Sequence, residues 1–509
     1  MKKIALLFIL FYSNVIVSQS EAQYSMDYGD EFKLQKKHFY LNLIGNKKDG
    51  FVQFSIKNNV EIGIQVLDQT GIKQISYDVL DISGFGKGIQ SEYFIESNKK
   101  YFWLYSIFDK NLENPTLYIL EFDMNSKKFI LPSKKLLSGN YVAFNNEKKL
   151  DAPPSNIPYL CFRFETFPLT VSNDSSKYLI NYQIYNENKN GNKKLGFLVL
   201  DKEMNALWNK EIELPYNASE VNCLDYLINS AGDVYFLVRT IDPNSESTEI
   251  SKKYDYQLSC LKKDASTPKV TKFKLEDMDC KSMKLQEVNK GTILISGFYS
   301  EKGITTGVAL INIKVNNVTN AEISKSFIKI PVNIHEKFLN INCTIYDLEI
   351  EHLILEKDNG LLIIGTNKKY LGNGTATDKP IVLMKLNKNN NLQWLNVIPR
   401  KTGVTSSNGI GSECFFIFKH KNNQMILFQD GYNNKNIKLD EKPKLFDASS
   451  TGCLTIVEIN ENGDMVKNTS LFSECHEKPE YFKQISENKI IVKGGSYFKP
   501  FKHELIIIK

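Results

Sequence analysis

The chain has 509 residues, 42% of them hydrophobic and 12% aromatic, with 28 glycines and 15 prolines. That composition can fill a large core, and it excludes disordered, collagen-like and coiled-coil chains. The 64 Lys and Arg against 58 Asp and Glu leave a formal charge of +6, and the arginines are Arg163, Arg239 and Arg400 alone. Lysines interleaved with carboxylates, almost without guanidinium groups, lack the concentrated bidentate donors of a nucleic-acid binder, so no nucleic-acid partner is expected.

In chain order, Lys2 and Lys3 precede the apolar run Ile4 to Tyr12, and small residues follow at Ser18, Ser20 and Ala22. A basic start, a short apolar stretch and small residues read as a secretory signal peptide over residues 1–22. The run is too short to cross a bilayer, and no later stretch approaches ~20 uninterrupted apolar residues, so no membrane span is expected. The expected destination is outside the cytoplasm: the periplasm, the cell surface or the extracellular space.

Beyond residue 22, helix signals are sparse and one pattern recurs: a turn, then a strongly apolar run. Asp49-Gly50 precedes Phe51 to Ile56, Asn98 to Lys100 precedes Tyr101 to Phe108, and Asn173 to Ser176 precedes Tyr178 to Tyr185. Gly232, Gly291 and Asn359-Gly360 stand before runs opening at Val234, Thr292 and Leu361. Asn422-Asn423 and Asn488 stand before Met425 and Ile490. A second apolar strand follows each run and, in several copies, ends in an Asp or Asn that opens a turn: Asp68, Asp123, Asp201, Asn387 and Asn460. Such a residue bonds its own backbone two positions on, so a tight hairpin is expected at each. Asn205-Ala206-Leu207-Trp208 and Asn391-Leu392-Gln393-Trp394 continue two of these turns in parallel.

Four strands per ~60 residues, repeated along the chain, predict an all-β fold, a β-propeller filling residues 23–509 as a single domain. Eight run starts predict eight four-stranded blades. Seven is the alternative, because the spacing between starts ranges from 50 residues (51 to 101) to 77 (101 to 178). The last copy runs out of chain at Glu504 to Ile508, so the segment around Tyr24 to Leu34 is expected to supply its missing strand and close the ring. In its apolar-Asp-turn-Trp blade ending the sequence resembles secreted bacterial β-propeller proteins, including the loose repeats of exported proteins of the Bacteroidetes type. The resemblance implies a fold and a compartment; it carries no catalytic residue, because the signatures of WD, kelch, sialidase and quinoprotein blades are missing.

In such a ring the inner-to-second and third-to-outer hairpins share one face, and the second-to-third loops and interblade connections share the other. The long insertions belong to the second set: Asp242 to Tyr254, Asn367 to Lys379, Asp430 to Ser450 and Pro132 to Pro158. Long loops mark a binding face. Tyr254, Tyr370, Tyr432 and Tyr497 are expected in or at the edge of such loops, and could form an aromatic platform for a glycan or peptide. Cys161, Cys223, Cys280, Cys343, Cys414 and Cys475 recur near the start of successive inner strands, whereas Cys260 and Cys453 fall in third strands. Buried small hydrophobes, disulfides involving irregular loops, and a metal or redox site are the three readings of this series. Asp347, Glu349 and Glu351 alternate, so on an inner strand they would share one face and could hold a structural cation; no other cofactor is expected.

Three functions are compatible with this reading. The first is an exported, non-catalytic, monomeric propeller binding a protein or glycan through its long-loop face. The second is a propeller-type glycan lyase or hydrolase with carboxylates at the channel mouth. The third is a structural module of envelope assembly. No catalytic residue is assigned.

Overall fold

All eight apolar runs become second strands, opening at Gly50, Lys100, Lys177, Val234, Thr292, Leu361, Asn423 and Lys489. The computed structural model describes residues 24–508 apart from 33–37, 58–59, 86–88, 110–113, 139–166, 185–190, 242–253, 276–277, 281, 302–303, 315–321, 333–347, 368–375, 379, 404–414, 447–451, 472–481 and 495–500. The described strands form eight four-stranded antiparallel sheets in chain order, so the blade count is eight and not seven. We number the blades I (38–81), II (89–137), III (169–217), IV (221–273), V (283–329), VI (348–398), VII (415–471) and VIII (482–508 with 24–32). Within a blade the strands are called inner, second, third and outer.

The burial of each strand follows from its rank in the sheet. Second and third strands are covered on both faces by neighbouring blades, so Phe51 to Ile56 and Ile62 to Leu67 are continuously buried. Outer strands meet water, and Ala206–Asn217 alternates instead, with Trp208, Ile212 and Leu214 buried between exposed residues. Eight apolar clusters fill eight interblade seams, each built from two adjacent blades. The eighth joins Ile491 of blade VIII to Leu43, Phe51, Leu67 and Ile72 of blade I, so the ring closes by packing. It also closes by pairing: Tyr24–Phe32 runs antiparallel to Phe501–Ile508, from Tyr24 opposite Ile508 to Phe32 opposite Phe501. The expected closing strand is therefore present. Among the described residues no helix is long and apolar enough to cross a membrane.

Local chemistry fixes the turns. Positive φ occurs at Gly50, Asn98, Lys99, Ser175, Gly232, Gly291, Asn359 and Lys421, in the inner-to-second hairpins of blades I to VII. The five Asp and Asn residues form the expected side-chain turns; Asp201 Oδ1, for example, accepts from the Glu203 and Asn205 amides at 2.9 and 2.8 Å. Hydrogen bonds from Ser126 and the Asn125 amide hold the Asp123 carboxyl below its usual range. The parallel tryptophans tie blades together: Trp208 Nε1 donates to Gly232 O of blade IV, and Trp394 Nε1 donates to Glu461 O of blade VII.

One repeated feature left no trace in the sequence. In blades I, II, IV, VI and VIII a β-bulge falls on the fourth residue of the inner strand: Leu41, Glu92, Leu224, Glu351 and Ile485. A bulge bends a strand and raises its twist. Here the bend recurs in the strands nearest the ring axis. Because successive strands are antiparallel, the short hairpins open on one face of the ring and the second-to-third and interblade connections on the other.

Candidate binding surface

The long-loop face is best defined over blades VI and VII. The second-to-third insertion of blade VI contributes Ala376–Asp378, which pairs with Lys401–Gly403 in the connection to blade VII. The insertion of blade VII returns to the same place, where the Phe446 amide donates to Lys401 O at 2.9 Å. Three connections therefore share one hydrogen-bonded layer. Beneath it Arg400, 1% exposed, sets its guanidinium 4.9 Å from the ring centroid of Phe428.

The blade VII insertion, Tyr432 to Phe446, has few apolar side chains of its own and is held by a polar clamp. Asn434 is 1% exposed. Its Nδ2 donates to Asp430 Oδ1 at 2.6 Å and to Lys444 O at 2.9 Å, and its Oδ1 accepts from the Lys444 amide at 2.7 Å. Lys467, from the outer strand of the same blade, donates to Asn434 O and Ile437 O and lies 3.7 Å from Asp430 Oδ2. Each buried polar group thus has a partner, which is what a loop without a core requires. The cavity beneath is only about 10 Å³, room for a single water at most.

What the clamp presents outward is an aromatic and cationic surface. Tyr432 is 44% exposed and Leu445 45%. Lys435 Nζ stands 5.9 Å from the Tyr432 ring centroid, and Lys438, Lys442 and Lys444 outnumber Asp440 and Glu441 along the same segment.

The other expected site residues are dispersed. Tyr254 belongs to blade IV and Tyr432 to blade VII, three blades apart around the ring. Tyr370 and Tyr497 lie outside the described residues. Tyr254 has a local role: the Arg239 guanidinium stacks 4.4 Å from its ring centroid and lies 3.4 Å from Asp279 Oδ1. Tyr256 donates to Asp279 Oδ1 and accepts from the Cys280 amide, both at 3.0 Å, and burial pushes its hydroxyl pKa up. This cluster pins the start of blade V to blade IV.

Of the recurrent cysteines, Cys161, Cys343, Cys414 and Cys475 lie outside the described residues. Cys223, Cys260 and Cys280 carry free thiols, and Cys453 Sγ lies 3.4 Å from Asp430 O and Gly431 O. Cys280 and Cys260 sit in the seam between blades IV and V, and burial pushes the Cys260 thiol up to about 11. A thiol raised in this way is a poor nucleophile and a poor metal ligand at neutral pH. Asp347 also lies outside the described residues. Glu349 pairs opposite Thr366, while Glu351 occupies the bulge and faces no single residue of the second strand. Among the described residues no group of three His, Cys, Asp or Glu side chains is placed to hold a metal ion.

Asn434, Arg239 and Asp279 escaped the sequence reading. In a chain rich in Asn, one more Asn carries no signal until its backbone partners are known.

No family model matches the chain, and no curated protein does. Solved structures do match. The WD40 domain of SCAP from fission yeast is 8% identical with a TM-score of 0.41, over 95% of this chain and 98% of that one. An ulvan lyase of a polysaccharide lyase family is 11% identical with a TM-score of 0.39, over 81% and 90%. Prolyl oligopeptidase B from Galerina marginata is 9% identical with a TM-score of 0.39; 92% of this chain is covered, and it spans 55% of that enzyme.

Proposed function

We propose that the protein is an exported, non-catalytic binding protein whose long-loop face takes an acidic glycan. The observation that carries this reading is the Asn434 clamp, which fixes Tyr432 and its surrounding lysines as a rigid outward surface over a cavity of about 10 Å³. Small-molecule catalysis favours a concave site that buries its substrate, whereas this surface can only be lain upon. The exposed Tyr432 ring offers an apolar face to a sugar, and Lys435, Lys438, Lys442 and Lys444 offer charge to its carboxylates or sulfates. Export rests on the segment of residues 1–22.

Affinity electrophoresis tests the reading with polygalacturonate as the acidic probe and dextran as the neutral one. The protein is expected to be retarded by polygalacturonate alone, with retardation falling as salt rises. Tyr432→Ala should weaken binding about tenfold, equivalent to ~1.4 kcal/mol. Asn434→Ala should abolish it while leaving global unfolding nearly unchanged. Equal retardation of wild type and Tyr432→Ala, or none with either polymer, would overturn the proposal.

A further inference from the structure

The seam that closes the ring is built differently from those before it. Phe51 and Leu67 of blade I pack against Ile491 of blade VIII. Strand side chains alternate between faces, so Gln53, Ser55, Gly63 and Gln65 share the face that Phe51 and Leu67 turn to blade VIII. Gln53, Ser55 and Gln65 are buried. The position that matches Gln53 is Trp103 in the seam of blades I and II, Ile180 in that of II and III, Phe236 in that of III and IV and Ile295 in that of IV and V. In the closing seam an amide stands where the others place an apolar or aromatic ring or chain.

These amides form a ladder across blade I. Gln53 Nε2 donates to Gln65 Oε1 at 3.0 Å, and Gln65 Nε2 donates to Gln74 Oε1 at 2.8 Å, with Gln74 exposed on the outer strand. Tyr77, opposite Gln65, lays its hydroxyl over Gly63 and hydrogen-bonds to Ser55. The ladder ends inward at Gln53 Oε1, which has no hydrogen-bond partner among the described residues. At the outer rim Val79 stands opposite Gly63 and is 38% exposed, so water reaches that end of the seam. At the axial end Lys483 of blade VIII lies 3.9 Å from Glu96 of blade II, across blade I.

An apolar seam forfeits its burial when its two faces part, whereas an amide seam forfeits little. Water replaces each side-chain hydrogen bond, and it gives Gln53 Oε1 the partner that the closed seam withholds. Blades I and VIII are separate sheets, so parting their faces breaks no strand pairing. We propose that the ring opens reversibly between blades I and VIII, from the outer rim inward, while the apolar seams stay shut. The opening is a conformational device of the closing seam itself, distinct from loss of the strand Tyr24–Phe32, and it does not rest on the glycan reading.

Thiol labelling under native conditions tests the proposal, because a buried thiol reacts only when its surroundings open. Ser55→Cys places a near-isosteric thiol in the closing seam. Ser296→Cys places one, equally buried, in the second strand of blade V against blade VI. Peptide mass spectrometry separates each from the eight native cysteines. With iodoacetamide, Ser55→Cys is expected to react at least tenfold faster than Ser296→Cys. Replacing the ladder through Gln53→Leu with Gln65→Leu should slow Ser55→Cys at least tenfold and leave Ser296→Cys unchanged. Equal rates for the two thiols overturn the inference, as does a Ser55→Cys rate that the leucines leave unchanged or raise. The first comparison keeps the native ladder, so it decides the matter even where the doubly substituted ladder fails to fold.

Discussion

Trp103→Ala is expected to lower the unfolding free energy by about 3–5 kcal/mol. Trp103 is fully buried in the second strand of blade II, in the seam with blade I. Its ring stacks on Tyr105 with centroids 4.5 Å apart and meets Phe94 and Phe129 at 6.0 and 5.7 Å. Its Nε1 donates to Ser91 Oγ at 2.9 Å. Removing it opens a void that the rings cannot collapse to fill, because Phe54, Phe122 and Phe129 are already packed edge to face beside it. Urea unfolding checks the value. Trp103→Phe keeps most of the volume and should lose less than half as much. A shift below about 1 kcal/mol for Trp103→Ala would show that the seam between blades I and II does not limit stability.

Deletion through Phe32 should break the ring. The nine-residue strand Tyr24–Phe32 covers the edge of Phe501–Ile508, whose Ile506 and Ile508 are 1% and 0% exposed. Fully burying such a side chain is worth ~1.5–3 kcal/mol, so half-uncovering both costs on the order of 1.5–3 kcal/mol. The larger consequence is an open edge. A long apolar strand with unpaired amides and carbonyls is a template for another chain, so the truncated protein should form oligomers or aggregates under conditions where the full chain does not. A circular permutant that joins residue 508 to residue 24 through a short linker, with new ends in an exposed hairpin, should keep the behaviour of the full chain. Size-exclusion chromatography with light scattering separates the two. Unchanged mass and midpoint for the truncated chain would show that blade VIII holds with three strands.

The second strands and the side-chain turns were legible in the sequence for a physical reason. A strand covered on both faces must be apolar at every position, as Phe51 to Ile56 is, and a side-chain turn is satisfied within five residues, as Asp201 satisfies Glu203 and Asn205. Both signals are local. The aromatic platform was not legible, because positions spaced along the chain say nothing of angular position around a ring, and Tyr254 and Tyr432 stand three blades apart. The inner-strand bulges were equally silent: Leu41, Glu92, Leu224, Glu351 and Ile485 share a position but no chemistry.

The sequence by itself determined the strand-and-turn repeat and its eight run starts, since these depend on periodicity and on hydrogen bonds between near neighbours. Only the tertiary structure decided that the blades number eight and not seven, that the N-terminal strand completes the last of them, that eight seams close into a ring, and that Asn434 holds a surface outward. Those depend on pairings such as Asn173 with Glu287, separated by 114 residues, which local preference does not encode.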